Sequence, residues 1–260
     1  MAARVERGGA VRAAIVTGGG GGIGRATAVQ LAQAGFRILV VDLDEIAARE
    51  TVAAVNAVGG TASSLRADVA SEEQCLAYVA ACEERYGGVD GFMNNAGIEG
   101  PAARIEHYPV EELDRVLRVN VRGVFLGLKA VLPAMRRRGG GSIVNVSSQA
   151  GLRGIRGYSG YSASKHAVLA LAKSAALETA RDGIRVNSIC PGPTDTRMMD
   201  DIGEVVRAGG GDPSVFLDGI PIGRYGHPQE VAALAAWLIA EAPPFLTGAT
   251  ISIDGGGTAA

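Results

Sequence analysis

The sequence predicts a single α/β domain built on a doubly wound, seven-stranded parallel sheet with helices on both faces. Three observations predict it. Short β-branched runs alternate with longer Ala- and Leu-rich segments from one end of the chain to the other. Several strand runs, such as Ile-Leu-Val-Val at 38–41, are apolar throughout, as strands covered on both faces must be. A length of 260 residues with no shift in composition fits one domain better than two.

Residues 13–17 read as the first strand and 22–34 as a helix ended by Gly35. The second strand covers 37–42, and the helix over 45–58 stops at Gly59-Gly60. A third strand covers 63–67; Ser71 then reads as an N-cap, with Glu72 and Glu73 in the first turn of a helix to Tyr86. Residues 89–94 form the fourth strand, followed by one long helix expected over 110–138. The fifth strand (142–147), a second long helix (158–181) and the sixth strand (184–189) come next. Helices near 198–207 and 228–241 precede a closing seventh strand at 250–253. Right-handed crossovers between such strands give a Rossmann-like sheet. Residues 1–10 are expected to be a flexible tail ahead of a domain spanning 11–260. The polar, Pro-containing stretch 193–226 is too long for a simple connection and is expected to be a lid.

Composition narrows the function classes. A formal net charge of −2 recruits neither nucleic acid nor an anionic membrane, and aromatics are only 5% of the chain. No apolar run approaches the length of a membrane span, and the N-terminus lacks a signal-peptide core. Cys75, Cys82 and Cys190 form no CxxC pair and cannot all be paired, which fits a reducing cytoplasm. His107, His166 and His227 share no ligand spacing, so no metal is expected. Only Lys129, Lys165 and Lys173 are lysines among 25 basic residues, which makes each lysine a rare choice. The expected partner is a small molecule.

The run Thr17-Gly18-Gly19-Gly20-Gly21-Gly22-Ile23-Gly24 falls between the first strand and the first helix. Alone, a glycine run could be a linker. At the head of a βαβ unit it lets the backbone approach a pyrophosphate set against the helix N-terminus. The second strand ends at Asp42, where a carboxylate accepts from the ribose hydroxyls and repels a 2′-phosphate. Leu43 follows where a base would serve NADP, so NAD is expected rather than NADP.

Tyr161-Ser162-Ala163-Ser164-Lys165 puts Tyr161 and Lys165 one turn apart on one helix face. A free phenol, with a pKa of about 10, is a poor acid–base catalyst at neutral pH, and a nearby ammonium is expected to lower it. The chemistry such a pair serves is proton transfer to or from an alcohol oxygen while hydride moves at a nicotinamide. Ser148 follows the fifth strand, at the sheet end where ligands bind, and its hydroxyl can hold a substrate oxygen. Asn120 is a polar residue in an otherwise apolar helix, open to a catalytic or a purely structural reading.

These motifs, with Asn94-Asn95-Ala96-Gly97 and Pro191-Gly192 after the sixth strand, resemble in order and over essentially the whole chain the classical short-chain dehydrogenases/reductases. The resemblance implies a tetrad of Asn120, Ser148, Tyr161 and Lys165. Tyr161 would be the acid/base, Lys165 would depress its pKa and bind the nicotinamide ribose, and Asn120 would hold a relay water. It implies cofactor contacts at Gly18, Gly22, Ile23, Gly24, Asp42 and Leu43, and at Asp68 and Val69 beside the adenine. Asn95, Ala96 and Gly97 would lie along the ribose, and Pro191, Gly192, Thr194 and Thr196 along the carboxamide. It also implies a homotetramer.

Substrate identity is expected to reside in the loops carrying Ile98, Glu99, Leu152, Ile155 and Tyr158, and in the lid with Met198 and Met199. Their mostly apolar character suits a hydrophobic or cyclic secondary alcohol or ketone. Arg136-Arg137-Arg138 reads as a solvated helix C-terminus, or as a docking patch of a 3-oxoacyl-[acyl-carrier-protein] reductase-like enzyme. A non-catalytic NAD-binding sensor on the same fold is the reading from a different class.

Overall fold

The computed structural model describes residues 11–208 and 210–259. The expected tail at 1–10 lies outside the described residues. The chain runs β1 Arg12–Thr17, α1 Gly22–Gln33, β2 Phe36–Asp42, α2 Glu45–Ala57, β3 Thr61–Arg66, α3 Glu72–Tyr86 and β4 Gly91–Asn94. There follow α4 Val110–Leu117, a π-helical segment Arg118–Arg122, α5 Gly123–Arg138, β5 Gly141–Val146 and α6 Ser159–Thr179. The remainder is β6 Ile184–Pro191, α7 Arg197–Ala208, α8 Val215–Asp218, α9 Pro228–Ala240 and β7 Thr250–Ile253.

All seven strands pair in parallel in the order β3-β2-β1-β4-β5-β6-β7. The chain reverses its direction of winding between β1 and β4, which opens a crevice at the carboxyl end of the sheet. Alternation along the strands fills both faces: Ala13 and Ile15 of β1 enter one core with Tyr78, Phe92, Val131 and Val168. Ala14 and Val16 enter the other, with Leu31, Val55 and Leu238. Each large side chain removed from water in this way stabilises the fold by about 1.5–3 kcal/mol. The faces are thus covered by α3, α5 and α6 on one side and α1, α2 and α9 on the other.

Local signals place the helix ends. Asp44 accepts from the backbone of Ile46 and Ala47 at the start of α2, and Ser71 accepts from Gln74 N at the start of α3. Gly87 and Gly139 end α3 and α5 in the left-handed conformation, at a φ of 82° each. Several boundaries lie one to three residues from those expected, as frayed ends do.

One expectation is corrected. The single helix expected over 110–138 is interrupted by the π-helical turn Arg118–Arg122, where Asn120 turns its amide onto a neighbouring loop. The arginines in the last turn of α5 sit at its C-terminus as the first of their two readings has it, each paired with a carboxylate. Arg136 pairs with Asp182 at 2.6 Å, Arg137 with Glu83 at 2.8 Å and Arg138 with Asp90 at 3.1 Å. The stretch 193–226 holds α7 and α8, and Tyr225 reaches back to donate to Pro213 O at 3.4 Å. Cys75, Cys82 and Cys190 are unpaired and fully buried. Among the described residues, no helix is long and apolar enough to cross a membrane, and no cluster of His, Cys, Asp and Glu could hold a metal.

Candidate active site

The crevice is framed first by the glycine turn. Gly18 and Gly22 have φ of 59° and 50°, a region side chains disfavour. A Cβ on Gly24 would stand 2.1 Å from Gly18 O, so helix and turn can approach only at glycine. No side chain caps α1, whose first N–H groups remain available to an anion. Asn95 donates from Nδ2 to Thr17 O and Gly18 O, each at 3.0 Å, and its N–H donates to Thr17 Oγ1 at 3.0 Å. These bonds lock the end of β4 to the turn.

Asp42 terminates β2 with both carboxylate oxygens engaged: Gly20 N donates to Oδ2 at 2.8 Å and Asp44 N to Oδ1 at 3.0 Å. Together with Leu43, Asp68, Val69, Ala96 and Gly97 it lines a cavity of about 490 Å³ that also reaches Gly18, Gly22 and Ile23. Arg25, the nearest cation on α1, faces elsewhere: it pairs with Glu50 at 2.8 Å and donates to Gly20 O at 2.6 Å. Asp68 accepts from Ala70 N at 2.8 Å and from Arg118 at 3.3 Å.

A second cavity of about 360 Å³ adjoins the first and shares Ile23, Asn95, Gly97, Thr196 and Met198 with it. Ser148, Tyr161 and Lys165 stand on one wall, and Pro191, Gly192 and Thr194 on the next. Ile155, Tyr158, Met198, Met199 and Phe216 make the rest largely apolar, with Glu99 among them. The two spaces form one cleft, with Asp42 at one end and the Ser148–Tyr161 pair at the other.

The start of α6 is fixed by buried hydroxyls. Ser147 Oγ donates to Lys165 O at 2.8 Å, and Ser164 Oγ donates to Tyr161 O at 2.7 Å. Asn120, fully buried, ties this helix to the loop after β4: its Nδ2 donates to Ser164 Oγ at 2.9 Å and to Ile98 O at 2.8 Å. Both amide hydrogens are therefore in use, and the side chain has none to donate to a relay water. Lys165 Nζ donates to Val146 O at 3.0 Å and lies 5.5 Å from the centroid of the Tyr161 ring.

In this geometry burial is the largest influence on both groups. Burial pushes the Tyr161 phenol up to about 12, opposed by a hydrogen bond with Ser148, and the Glu99 charge pushes it the same way. Burial also brings Lys165 down to about 8. The ammonium lies over the Tyr161 ring and donates to the Val146 carbonyl, and burial remains the largest influence on the phenol.

Two substrate-loop expectations are also corrected. Leu152 is 39% exposed and lines neither cavity; the short turn Gln149–Gly151 buries Ala150 and Gly151 and turns Leu152 outward. Ile98 lines the cavity on the Asp42 side rather than the one beside Tyr161. Sequence reasoning missed Ile202 and Val215 in the lid, and Arg115, Arg118 and Val119 beside the first cavity. Helical spacing could have signalled these: Ile202 follows Met198 by four, and Arg118 and Val119 follow Arg115 by three and four.

Known proteins share this architecture. The family model described as enoyl-(acyl carrier protein) reductase matches residues 18–258. Levodione reductase of Leifsonia aquatica is 42% identical, covering 96% of this chain and 95% of its own. Cyclohexanol dehydrogenase of an Acinetobacter strain is 39% identical, covering 94% of both chains. The crystal structure of an NAD+-bound xylitol dehydrogenase matches with a TM-score of 0.90 at 36% identity, over 94% of this chain and 98% of that one. The glycine turn, the cleft and the Tyr161–Lys165 helix thus have a family context: the chain belongs to the classical short-chain dehydrogenase/reductase family, as an oxidoreductase passing hydride between a nicotinamide cofactor and an alcohol or ketone.

Proposed function

We propose that the protein is an NAD-dependent alcohol dehydrogenase/ketoreductase acting on hydrophobic or cyclic secondary alcohols and ketones, with Tyr161 as acid/base. The observation that carries this reading is the single cleft joining a carboxylate at the end of β2 to paired hydroxyls in an apolar cavity.

A dinucleotide fits the residues present. Gly18, Gly22 and Gly24 leave room for a pyrophosphate against the uncapped start of α1, and Ile23 closes that turn. Asp42 would accept from ribose hydroxyls, and it repels a 2′-phosphate that neither Leu43 nor the engaged Arg25 could neutralise. Asp68 and Val69 would flank the adenine, and Asn95, Ala96 and Gly97 the adjoining ribose. Lys165 would bind the nicotinamide ribose, and Pro191, Gly192, Thr194 and Thr196 would lie beside the carboxamide. When bound, the nicotinamide supplies or accepts the hydride.

In the reductive direction, Ser148 orients the substrate carbonyl and Tyr161 donates its phenolic proton as charge grows on that oxygen. A phenol held near 12 is protonated throughout the neutral range, which suits the acid role directly. Asn120 acts by positioning, through Ile98 and Ser164, the loop after β4 and the start of α6 around Tyr161. The apolar walls formed by Ile155, Tyr158, Met198 and Met199 favour uncharged substrates. The names levodione reductase and cyclohexanol dehydrogenase among the relatives agree with that class.

We further propose residues 193–226 as a lid over this cavity, a cytoplasmic location in keeping with three unpaired cysteines, and a homotetramer. Phe125 of α5 and Leu177 of α6, 49% and 86% exposed, suit helix contacts between copies. An acyl-carrier-protein substrate is disfavoured, because Arg136, Arg137 and Arg138 are each paired with a carboxylate of the same chain. The test is NADH fluorescence quenching followed by a panel of cyclic and open-chain ketones, monitored by loss of reduced-nicotinamide absorbance. Turnover of cyclic ketones with NADH supports the reading. Quenching with no turnover of any ketone would favour a non-catalytic NAD sensor.

A further inference from the structure

Glu99 is the acidic residue lining the cavity beside Tyr161, among walls otherwise made mainly of apolar side chains. Its place is well determined. Ile98, its neighbour, is held at both N–H and C=O by Asn120, so the backbone leading into Glu99 cannot drift. Among the described residues no ion pair engages Glu99. The other charged groups are set around it: Asp201 from the lid helix α7, Arg115 from α4, and the phenols of Tyr158 and Tyr161 from α6. Arg153, the other charged side chain at this cavity besides Lys165, is exposed and turned to Gln149 Oε1 at 3.2 Å.

A carboxyl group so placed loses hydration and gains only its own backbone N–H as a hydrogen-bond partner, which leaves further acceptor capacity facing the cavity. Burial raises its pKa, opposed by the hydrogen bond from its own backbone N–H; Asp201 adds to the rise and Arg115 works against it. A substrate with one oxygen satisfies Ser148 and Tyr161 and leaves Glu99 facing hydrocarbon. A second oxygen on the substrate supplies what is missing: a hydroxyl donates to the carboxylate, or a carbonyl accepts from the acid. Resting on the reading of this cavity as the alcohol/ketone site, we propose that Glu99 binds a second substrate oxygen, so that the enzyme prefers cyclic diols and their ketone counterparts over mono-alcohols.

Steady-state oxidation of cyclohexanol and of the cyclohexanediols with NAD, by wild type, Glu99→Gln and Glu99→Leu, tests this. Wild type is expected to favour at least one diol isomer by about tenfold or more in kcat/KM, the scale set by leaving a buried polar group unpaired. In Glu99→Leu the diol loses at least tenfold more kcat/KM than cyclohexanol does, chiefly through KM, and Glu99→Gln keeps part of the preference. Oxidation of cyclohexanol with no diol preference in wild type overturns the inference and leaves the alcohol/ketone reading standing. Equal losses on both substrates in both variants overturn it as well. Turnover of neither substrate, with NADH quenching intact, overturns this inference together with the cyclic-substrate reading.

Discussion

Asn120 and Ile98 grip each other in both directions: Ile98 N–H donates to Asn120 Oδ1 and Asn120 Nδ2 donates to Ile98 O, both at 2.8 Å. The pair fastens the π-helical turn to the loop that carries Gly97 and Glu99 into the cleft. In Asn120→Ala the three hydrogen bonds of this buried side chain vanish, leaving Ile98 N–H and C=O without partners and Ser164 Oγ with only its bond to Tyr161 O. The expected cost is about 3 kcal/mol in urea-unfolding stability, with a raised substrate KM. Wild-type stability in that variant would show that the pair is not a structural fastening.

Asp42 combines a structural bond to Gly20 with the proposed choice of cofactor. Asp42→Ala combined with Leu43→Arg is expected to shift the NADP-to-NAD ratio of kcat/KM by about a hundredfold towards NADP, since repulsion is exchanged for an ion pair. Loss of the Gly20 bond is expected to lower stability by about 1 kcal/mol. An unchanged ratio would remove Asp42 from the cofactor assignment.

Within the glycine turn, two substitutions should part company. Gly24→Ala drives a methyl group to 2.1 Å from Gly18 O, while a Cβ at Gly21 meets nothing within 4 Å. Gly24→Ala is expected to cost about 3 kcal/mol or more and to weaken NADH binding. Gly21→Ala, at an extended φ of −161°, is expected to cost about 1 kcal/mol or less. Thermal melts and NADH titrations of the two variants make the comparison.

Much of this was legible in the residues. The strands were legible in order, because most are apolar runs covered on both faces, while β3 and β7 at the sheet edges are polar in part and were read from their spacing. The glycine turn and the Tyr161–Lys165 spacing were legible because backbone clearance and one helical turn are local constraints. What escaped depends on residues distant in sequence. An apolar period of 110–138 looks the same with or without a π turn, and the partner that Asn120 holds from that turn, Ile98, stands 22 residues earlier. Leu152 could not be read as outward without the turn at Gln149–Gly151. The partners of Arg136, Arg137 and Arg138 come from α3, β4's approach and the loop after α6. The burial that raises the Tyr161 phenol comes from the folded surroundings of α6, which the spacing to Lys165 does not reveal.

Lys165 carries a signature in stability against pH. Burial lowers it from 10.5 to about 8, so between those values the unfolded chain holds a proton that the folded protein has released. Raising pH through that window therefore favours the folded state. Lys165→Met lacks this gain. Its melting temperature relative to wild type is expected to fall steadily from about pH 8 to about pH 10. A constant difference across the window would contradict the burial assigned to the ammonium.

The central claim is that the Tyr161 phenol delivers the proton beside the dinucleotide cleft. Turnover and NADH binding of Tyr161→Phe, measured on the same preparation, test it most directly. Ketone reduction is expected to fall by about a thousandfold while NADH quenching stays at the wild-type level. Ketone reduction at a near-native rate by the phenylalanine variant would contradict it.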